Sequence, residues 1–217
     1  MKSIFPEVYL VDNRLATINA VHGKQVYDER LVKLEGQEFR MWDPFRSKLA
    51  AAIKKGLQNF PFSKGSKVLY LGASTGTTVS HVSDIVGEQG EIFAVEISPH
   101  SMKNLLKLSE QRKNIIPILA DAGRPEKYSE VGEVSIIYQD VAQADQSEIL
   151  IKNAKAFLVA GGTAMLAIKS QSIDVTKKPS EVFSNELAKL AKYFEVLEKM
   201  ELEPFDKDHL FVVLRKH

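Results

Sequence analysis

The chain has 217 residues, of which 44% are hydrophobic and 26% are charged, a composition typical of a globular protein with a sizeable core. It contains no cysteine, which excludes disulfides, thiolate metal sites and cysteine nucleophiles. Its 29 basic and 28 acidic residues give a net charge of +1, which argues against a large nucleic-acid footprint held by this chain alone. No apolar run approaches the length of a membrane span and no signal peptide is recognisable, so we expect an intracellular, cytoplasmic protein without a membrane partner.

Residues 1–45 are predicted to form a small antiparallel β domain. Alternating apolar residues flank the pair Asp12-Asn13, which favours a tight hairpin turn. Further strands are predicted over 26–34 and 37–42. Such a sheet would serve either as a structural cap or as a docking surface, and the residues do not separate these two roles.

The second domain, residues 46–217, is predicted to begin with a helix over 46–57, where apolar residues recur at helical spacing. The segment from Arg40 to Lys55 is the most basic of the chain, with five cations and Asp43 as its only acid. A solvated helix face and an RNA contact explain such a run equally well.

This second domain is organised around the stretch KVLYLGASTGTTVSHVSDIV at residues 67–86. Its apolar start predicts a buried strand that ends at Gly72. The spacing of the following valines predicts a helix, with Thr77 or Thr78 placed to cap it. Strand, glycine turn and helix in this order are the arrangement at which open α/β sheets bind ligands.

Strands and helices alternate through the rest of the domain. Strands are predicted over 91–97, 115–119, 133–139, 163–168, 194–200 and 209–214, and helices from Pro99 and over 147–158 and 180–193. The pair Gly161-Gly162 is predicted to turn the chain before the fifth strand. This alternation predicts an α/β fold with a mostly parallel sheet, helices on both faces and an antiparallel hairpin at the C-terminal edge.

Polar residues or glycine follow the predicted strands at the point where each one ends. They are Gly72, Glu96, Asp121, Asp140 and Lys169. Because the carboxyl ends of parallel strands meet at one edge of a sheet, we expect a single ligand site there. Glu96 is placed to accept the hydroxyls of an adenosine ribose, and Asp121 with the backbone of Ala122 to receive the adenine.

The glycine spacing distinguishes between two nucleotide cofactors. A GxGxxG fingerprint begun at Gly72 would require glycine at Ser74 and Thr77, so a nicotinamide dinucleotide is disfavoured. The run resembles instead the V-L-D-L-G-x-G-x-G motif of class I methyltransferases that use S-adenosylmethionine, with Tyr70 in place of the acid and Ser74 in place of the middle glycine. The string YLGASTGTTVSHVSDIVG, followed by AVEIS, is similar to fibrillarin and its archaeal homologues.

This resemblance implies a Rossmann-like class I methyltransferase domain with a seven-stranded sheet. It also implies guided 2′-O-methylation of ribose in rRNA or tRNA, in an assembly with a Nop-family scaffold protein, a kink-turn-binding ribosomal-type protein and a box C/D guide RNA. An archaeal source is expected on the same ground. The residues that the resemblance adds to the cofactor shell are Ala73, Thr77, Thr78, Ile97, Asp140, Val141, Ala142 and Gln143.

Methyl transfer from a sulfonium to a ribose hydroxyl is an in-line displacement, which needs alignment and a place for the hydroxyl proton and no metal. Lys169 is the candidate to orient the hydroxyl and accept its proton, and Asp140 would fix its ammonium group. Ribose methyltransferases of the heat-shock-induced bacterial type use a Lys-Asp-Lys-Glu tetrad. By resemblance Lys48, Asp140 and Lys169 match its first three positions. His209 stands near the fourth, although a strand-edge histidine bonded to solvent is an equally good reading.

Two other functions stay open at this point. The first is a class I methyltransferase that acts on a small molecule or a protein, against which Lys48, Lys169 and the basic segment weigh. The second is a cofactor-binding structural subunit without catalysis, against which the intact Asp140 and Lys169 weigh. The remaining histidines show no spacing that suggests a metal site.

Overall fold

The computed structural model describes residues 1–217, and its first five strands form a separate antiparallel sheet. They are β1 (Lys2–Phe5), β2 (Val8–Val11), β3 (Arg14–Ile18), β4 (Leu31–Leu34) and β5 (Gln37–Met41), in the order β1-β2-β3-β5-β4. Asp12 and Asn13 both have positive φ, as a two-residue hairpin turn requires. The predicted hairpin and N-terminal antiparallel sheet are therefore confirmed.

The second sheet has seven strands. They are β6 (Lys67–Leu71), β7 (Glu91–Glu96), β8 (Ile115–Leu119), β9 (Val134–Gln139), β10 (Leu158–Lys169), β11 (Phe194–Glu201) and β12 (His209–Lys216). Their order is β11-β12-β10-β9-β6-β7-β8, and β12 runs antiparallel to both of its neighbours while every other pair is parallel. The mostly parallel seven-stranded sheet with an antiparallel terminal hairpin is as predicted.

Helices cover both faces of this sheet. They are α1 (Lys48–Lys54), α2 (Thr77–Val86), α3 (Pro99–Gln111), α4 (Gln146–Phe157), α5 (Ser170–Ile173) and α6 (Pro179–Leu190), with a 3-10 helix over Pro125–Val131. One hydrophobic core joins α1, α2 and α3 to the sheet and includes Val8 and Leu15 of the N-terminal sheet. A second core joins α4 and α6 to the opposite face. None of the helices combines the length and apolar character needed to cross a bilayer.

A buried ion network also ties the N-terminal sheet to the helices. Arg40 of β5 is fully buried, and its guanidinium group bonds to the carboxylates of Glu29 and Asp84, 2.8 Å from the latter. Arg112 contacts the other oxygen of Asp84 at 2.6 Å. An isolated buried charge is very costly. Removal of any one of these charged groups would therefore destabilise the contact between the N-terminal sheet and the helices.

A buried histidine lies beside this network. The Nδ1 atom of His81 is 2.8 Å from the hydroxyl of Thr17, and its Nε2 atom is 2.7 Å from the hydroxyl of Tyr27. Burial, and then the charges of Arg40 and Arg112, hold the pKa of His81 well below its ordinary value. The imidazole is therefore neutral and serves as a hydrogen-bonding link between the N-terminal sheet and α2.

Some predicted boundaries were wrong for local reasons. The strand predicted from residue 26 begins only at Leu31, because the Glu29 carboxylate accepts the backbone N–H groups of Val26 and Tyr27 and folds that segment into a loop. The helix predicted from residue 46 begins at Lys48, since the hydroxyl of Ser47 caps it.

The pair Gly161-Gly162 does not end an element. It lies inside β10, whose register with β9 shifts between Leu158 and Thr163. Gly161 has a φ of +70°, which a glycine adopts without strain. The two glycines thus form an irregularity within one long strand, as at a β-bulge, instead of a turn between elements.

Candidate active site

An open cleft of about 500 Å³ lies at the carboxyl ends of the central parallel strands, where the strand-end residues predicted it. Its predicted lining residues are Lys48, Gly72, Glu96, Ile97, Ala122, Asp140, Val141, Ala142, Gln143 and Lys169. Ser74, Val95 and Ala120 line it as well and were not predicted. Ala73, Thr77, Thr78 and Asp121 were predicted for the cofactor shell and lie outside this lining.

Gly72 allows the end of β6 to approach the end of β9 closely. Its φ is +82°, and a Cβ atom there would lie 2.6 Å from the carbonyl oxygen of Asp140. Any larger residue would push the two strand ends apart. The floor of the cleft therefore depends on this glycine.

The start of α2 differs from the prediction that a threonine caps it. The N-cap is Gly76, with a φ of +97° and no side-chain cap. Thr78 instead donates its hydroxyl to Ser47 Oγ at 2.9 Å, and Ser47 caps α1. The helix that borders the cleft is thus bonded directly to the residue that precedes Lys48.

Glu96 is held in a fixed orientation at the end of β7. Its two carboxylate oxygens accept the backbone N–H groups of Ser74 and Ser98, each at 2.7 Å. An ionised carboxylate has about four acceptor positions, so two remain for a ligand. Glu96 therefore faces the cleft as a preorganised acceptor of hydroxyl groups.

Asp121 lies beside the cleft and is hydrogen-bonded to Gln143, which lines it. Its Oδ1 atom accepts the backbone N–H of Gly123 at 2.8 Å and the side-chain amide of Gln143 at 2.9 Å. These two hydrogen bonds lower the pKa of Asp121, the Gly123 bond most. The carboxylate stays ionised and joins the loop after β8 to the loop after β9.

Three charged side chains from separate elements meet at the other end of the cleft. Lys169 Nζ lies 2.7 Å from Asp140 Oδ1 and also donates to the Asp140 carbonyl oxygen at 3.2 Å. Lys48 Nζ donates to Asp140 Oδ2 at 3.2 Å. The three side chains are only 15–18% exposed, so these charges interact with little screening by solvent. The structure brings together the three residues that the resemblance placed in a tetrad.

A further carboxylate, which sequence reasoning missed, belongs to this cluster. Asp206 Oδ2 lies 3.4 Å from Lys48 Nζ, and its Oδ1 lies 3.0 Å from His209 Nδ1. His209 Nδ1 is also 2.6 Å from the carbonyl oxygen of Lys207. Because a carbonyl only accepts, Nδ1 carries the proton. His209 is thus connected to Lys48 through Asp206 and does not line the cleft.

The charges around Lys48 set its protonation state. Burial lowers the pKa of this lysine, but the carboxylates of Asp140 and Asp206 raise it by more, so the net pKa lies above its ordinary value. Lys48 is therefore a fixed cation near neutral pH.

The backbone N–H of Lys169 is bonded to Gln146, a residue that no sequence motif identifies. Gln146, fully buried at the start of α4, accepts the Lys169 N–H through Oε1 at 2.9 Å. The Gln146 carbonyl in turn accepts the side-chain amide of Gln139 at 2.7 Å. This connection fixes the end of β10 against the end of β9, and so fixes Lys169 relative to Asp140.

Tyr70 stands where many methyltransferases have an acid. It is buried and stacked on Tyr138, with ring centroids 4.6 Å apart. Burial above all, together with the negative charge of Asp140, raises the pKa of both tyrosines far above the ordinary value. Both phenols are therefore neutral. The charged partners of Asp140 are Lys48 and Lys169.

Comparison with known proteins identifies the family of this chain. A family model, Fibrillarin, matches residues 1–217. The chain belongs to the fibrillarin family. A fibrillarin-like rRNA/tRNA 2′-O-methyltransferase from Thermococcus gammatolerans is 54% identical over 221 residues, covering 99% of this chain and 98% of the relative.

Solved fibrillarin structures share the whole fold. Aeropyrum pernix fibrillarin, in complex with natively bound S-adenosyl-L-methionine, matches with a TM-score of 0.88 and 45% identity over 95% of this chain and 92% of its own. A fibrillarin/Nop5p complex contains a chain that matches with a TM-score of 0.91 and 42% identity over all of both chains. The N-terminal sheet is therefore part of the family fold.

Proposed function

We propose that this chain methylates the 2′-hydroxyl of ribose in rRNA or tRNA with S-adenosylmethionine as cofactor. The observation that carries the proposal is the cluster of Lys48, Asp140 and Lys169 at one end of a nucleotide-sized cleft in a fibrillarin-family chain. Relatives of this chain are named for the same reaction.

The residues of the cleft fit the cofactor. Glu96 has free acceptor positions for two ribose hydroxyls, and Ile97, which is 57% exposed, offers an apolar surface to the adenine. Asp121, the backbone N–H of Ala122 and Gln143 would contact the edge of the base. When bound, the cofactor supplies a methyl group on a sulfonium, which is already activated for transfer.

The charged cluster then acts on the acceptor hydroxyl. Asp140 holds the ammonium groups of Lys48 and Lys169 on its two oxygens, which fixes the direction of both side chains. Lys48 stays protonated and anchors Asp140. Lys169 orients the ribose hydroxyl toward the methyl group, and in its neutral form it also accepts the hydroxyl proton.

We infer that partners supply most of the RNA affinity and the choice of target. The net charge of +1 supports this, because a chain that binds RNA tightly alone needs many more phosphate contacts. A Nop-family scaffold protein is supported by the fibrillarin/Nop5p complex. The kink-turn-binding ribosomal-type protein and the box C/D guide RNA complete the proposed assembly.

The test is transfer of labelled methyl from S-adenosylmethionine to RNA, by the chain alone and with reconstituted partners and guide, followed by nucleoside analysis. We expect label in 2′-O-methylnucleosides only with the partners and guide present. Label in bases or in protein would contradict the proposal.

The Lys169→Ala variant tests the role of the cluster. We expect methyl transfer to be lost while calorimetry shows unchanged cofactor affinity, because Lys169 positions the acceptor hydroxyl. The matched control is Lys207→Ala, which removes an exposed lysine outside the cluster. Full turnover by Lys169→Ala would refute the assigned role.

A further inference from the structure

A second cavity, of about 450 Å³, lies between the N-terminal sheet and α1. Four cationic side chains line it, and aromatic residues form part of its wall. The cations are Arg14, Arg30, Arg46 and Lys54, and the aromatic residues are Tyr27, Trp42 and Phe45. We call it the seam cavity. It shares no lining residue with the cofactor cleft.

None of these four cations forms a salt bridge. Arg14 and Arg30 are exposed, and their side chains make no hydrogen bond within the chain. The only bonds of Arg46 and Lys54 are to backbone carbonyl oxygens, and Arg46 also stacks over the ring of Tyr27. The basic segment noted in the sequence thus divides in two, because Arg40 and Lys48 are neutralised by carboxylates while Arg46 and Lys54 are not.

The acids of the seam cavity do not cancel this charge. Glu29 is already bonded to Arg40 and to backbone N–H groups. Asp43 accepts the backbone N–H of Phe45, and Asp28 is exposed. Four cations therefore face two acids that are free of a cation, and the cavity attracts anions.

Two aromatic rings connect the seam cavity to the loop that carries Asp206. Phe45, on its rim, is 67% exposed, and its ring meets that of Phe205 edge-on, with centroids 5.2 Å apart. Phe205 directly precedes Asp206, which contacts Lys48. Phe45 is thus a large exposed ring that lines the cationic cavity and contacts the residue next to Asp206.

We propose that the seam cavity binds the RNA strand next to the methylated nucleotide. Guanidinium groups match phosphate oxygens in a bidentate way, so Arg14, Arg30 and Arg46 would take the backbone. The open face of Phe45 stacks a neighbouring base, a contact that tolerates any sequence, as a guide-selected target requires. The inference rests on the proposed function, since it takes RNA as the substrate.

The test compares two double variants in the reconstituted guided reaction. Arg14→Gln/Arg30→Gln removes two cations from the seam cavity, and Lys24→Gln/Lys33→Gln removes two exposed cations elsewhere in the N-terminal domain. We expect the first to raise the KM for RNA about tenfold and to lower the salt slope of binding by about 2, with kcat and cofactor affinity kept. The control pair should change neither.

Phe45→Ala tests the stacking contact, with Phe45→Tyr as the conservative variant. The ring is largely exposed, so we expect folding and cofactor affinity to be kept. Alanine should raise the KM for RNA several-fold and tyrosine should restore it. With 4-thiouridine beside the target nucleotide, crosslinks should map to the tryptic peptide of residues 41–46.

The outcomes separate this inference from the proposed function. Guided 2′-O-methylation by wild type, with equal KM values for both double variants or crosslinks confined to other peptides, would overturn the seam cavity as an RNA site. Loss of Nop-type partner binding by Arg14→Gln/Arg30→Gln, with RNA contacts unchanged, would assign the surface to a protein instead. Absence of any RNA methylation by wild type would overturn the proposed function itself.

Discussion

Asp206 contacts both Lys48 and His209, so its carboxylate holds two side chains of the charged cluster in place. We expect Asp206→Asn to lower kcat about tenfold, a loss of about 1.4 kcal/mol, because Lys48 loses one of its two carboxylate partners. Cofactor affinity should be unchanged, since Asp206 does not line the cleft. Steady-state kinetics and calorimetry measure the two quantities.

Asp208→Asn is the matched control for this prediction. Asp208 is two residues away and lies outside the cluster, and asparagine tolerates its positive φ. If both variants keep wild-type kcat, Asp206 has no role in positioning Lys48.

The charged cluster also shows which single residues of the site can be predicted from the sequence. Lys48, Asp140 and Lys169 were reached through strand ends and family resemblance. Asp206 and Gln146 were missed, because a carboxylate in a loop and a buried glutamine at a helix start have no local pattern. Only the tertiary fold gives such residues their partners.

At the level of elements, the neutral His81 links β3 and the loop before β4 to α2. Its pKa is far below 6.5 in the folded chain and about 6.5 when unfolded, so only the unfolded chain takes up a proton just below that value. The free energy of unfolding should therefore fall as the pH drops below 6.5, by up to about 1.4 kcal/mol per pH unit.

Chemical denaturation between pH 5 and 7.5 measures this slope. His81→Gln should be less stable at pH 7.5 and should lack most of the slope, because no group is left to titrate there. His100→Gln, which replaces an exposed histidine of α3, should keep it. An unchanged slope in His81→Gln would assign the pH dependence to other groups.

Element type was predictable from the sequence where periodicity was strong, as for α3 and the central strands. The strand Lys2–Phe5, the 3-10 helix Pro125–Val131 and the short helix Ser170–Ile173 were not predicted. Each contains no more than two large apolar residues, which do not define a hydrophobic period. Their places are set by the elements they pack against.

At the scale of the whole molecule, the N-terminal sheet shares a hydrophobic core with the larger sheet and is joined to α2 by a buried ion network. We therefore expect one cooperative unfolding transition. Trp42, the single tryptophan, lies at this junction and stacks on His81 with ring centroids 4.7 Å apart. Its fluorescence and the far-UV circular dichroism should change at the same temperature.

An earlier transition in the fluorescence would contradict this expectation and show that the N-terminal sheet unfolds by itself. Trp42→Phe provides the control, because it removes the fluorescence signal and should leave the dichroism transition single.

The order of the site along the chain has a consequence for its synthesis. Gly72, Glu96 and Gln143 leave the ribosome before Lys169, and Asp206 comes near the very end. β12, which carries His209, inserts between β10 and β11 and is the last strand made. Phe211 and Val213 of this strand belong to the hydrophobic core that also contains α1 and α2, so we expect the cleft to form only after β12 has left the ribosome.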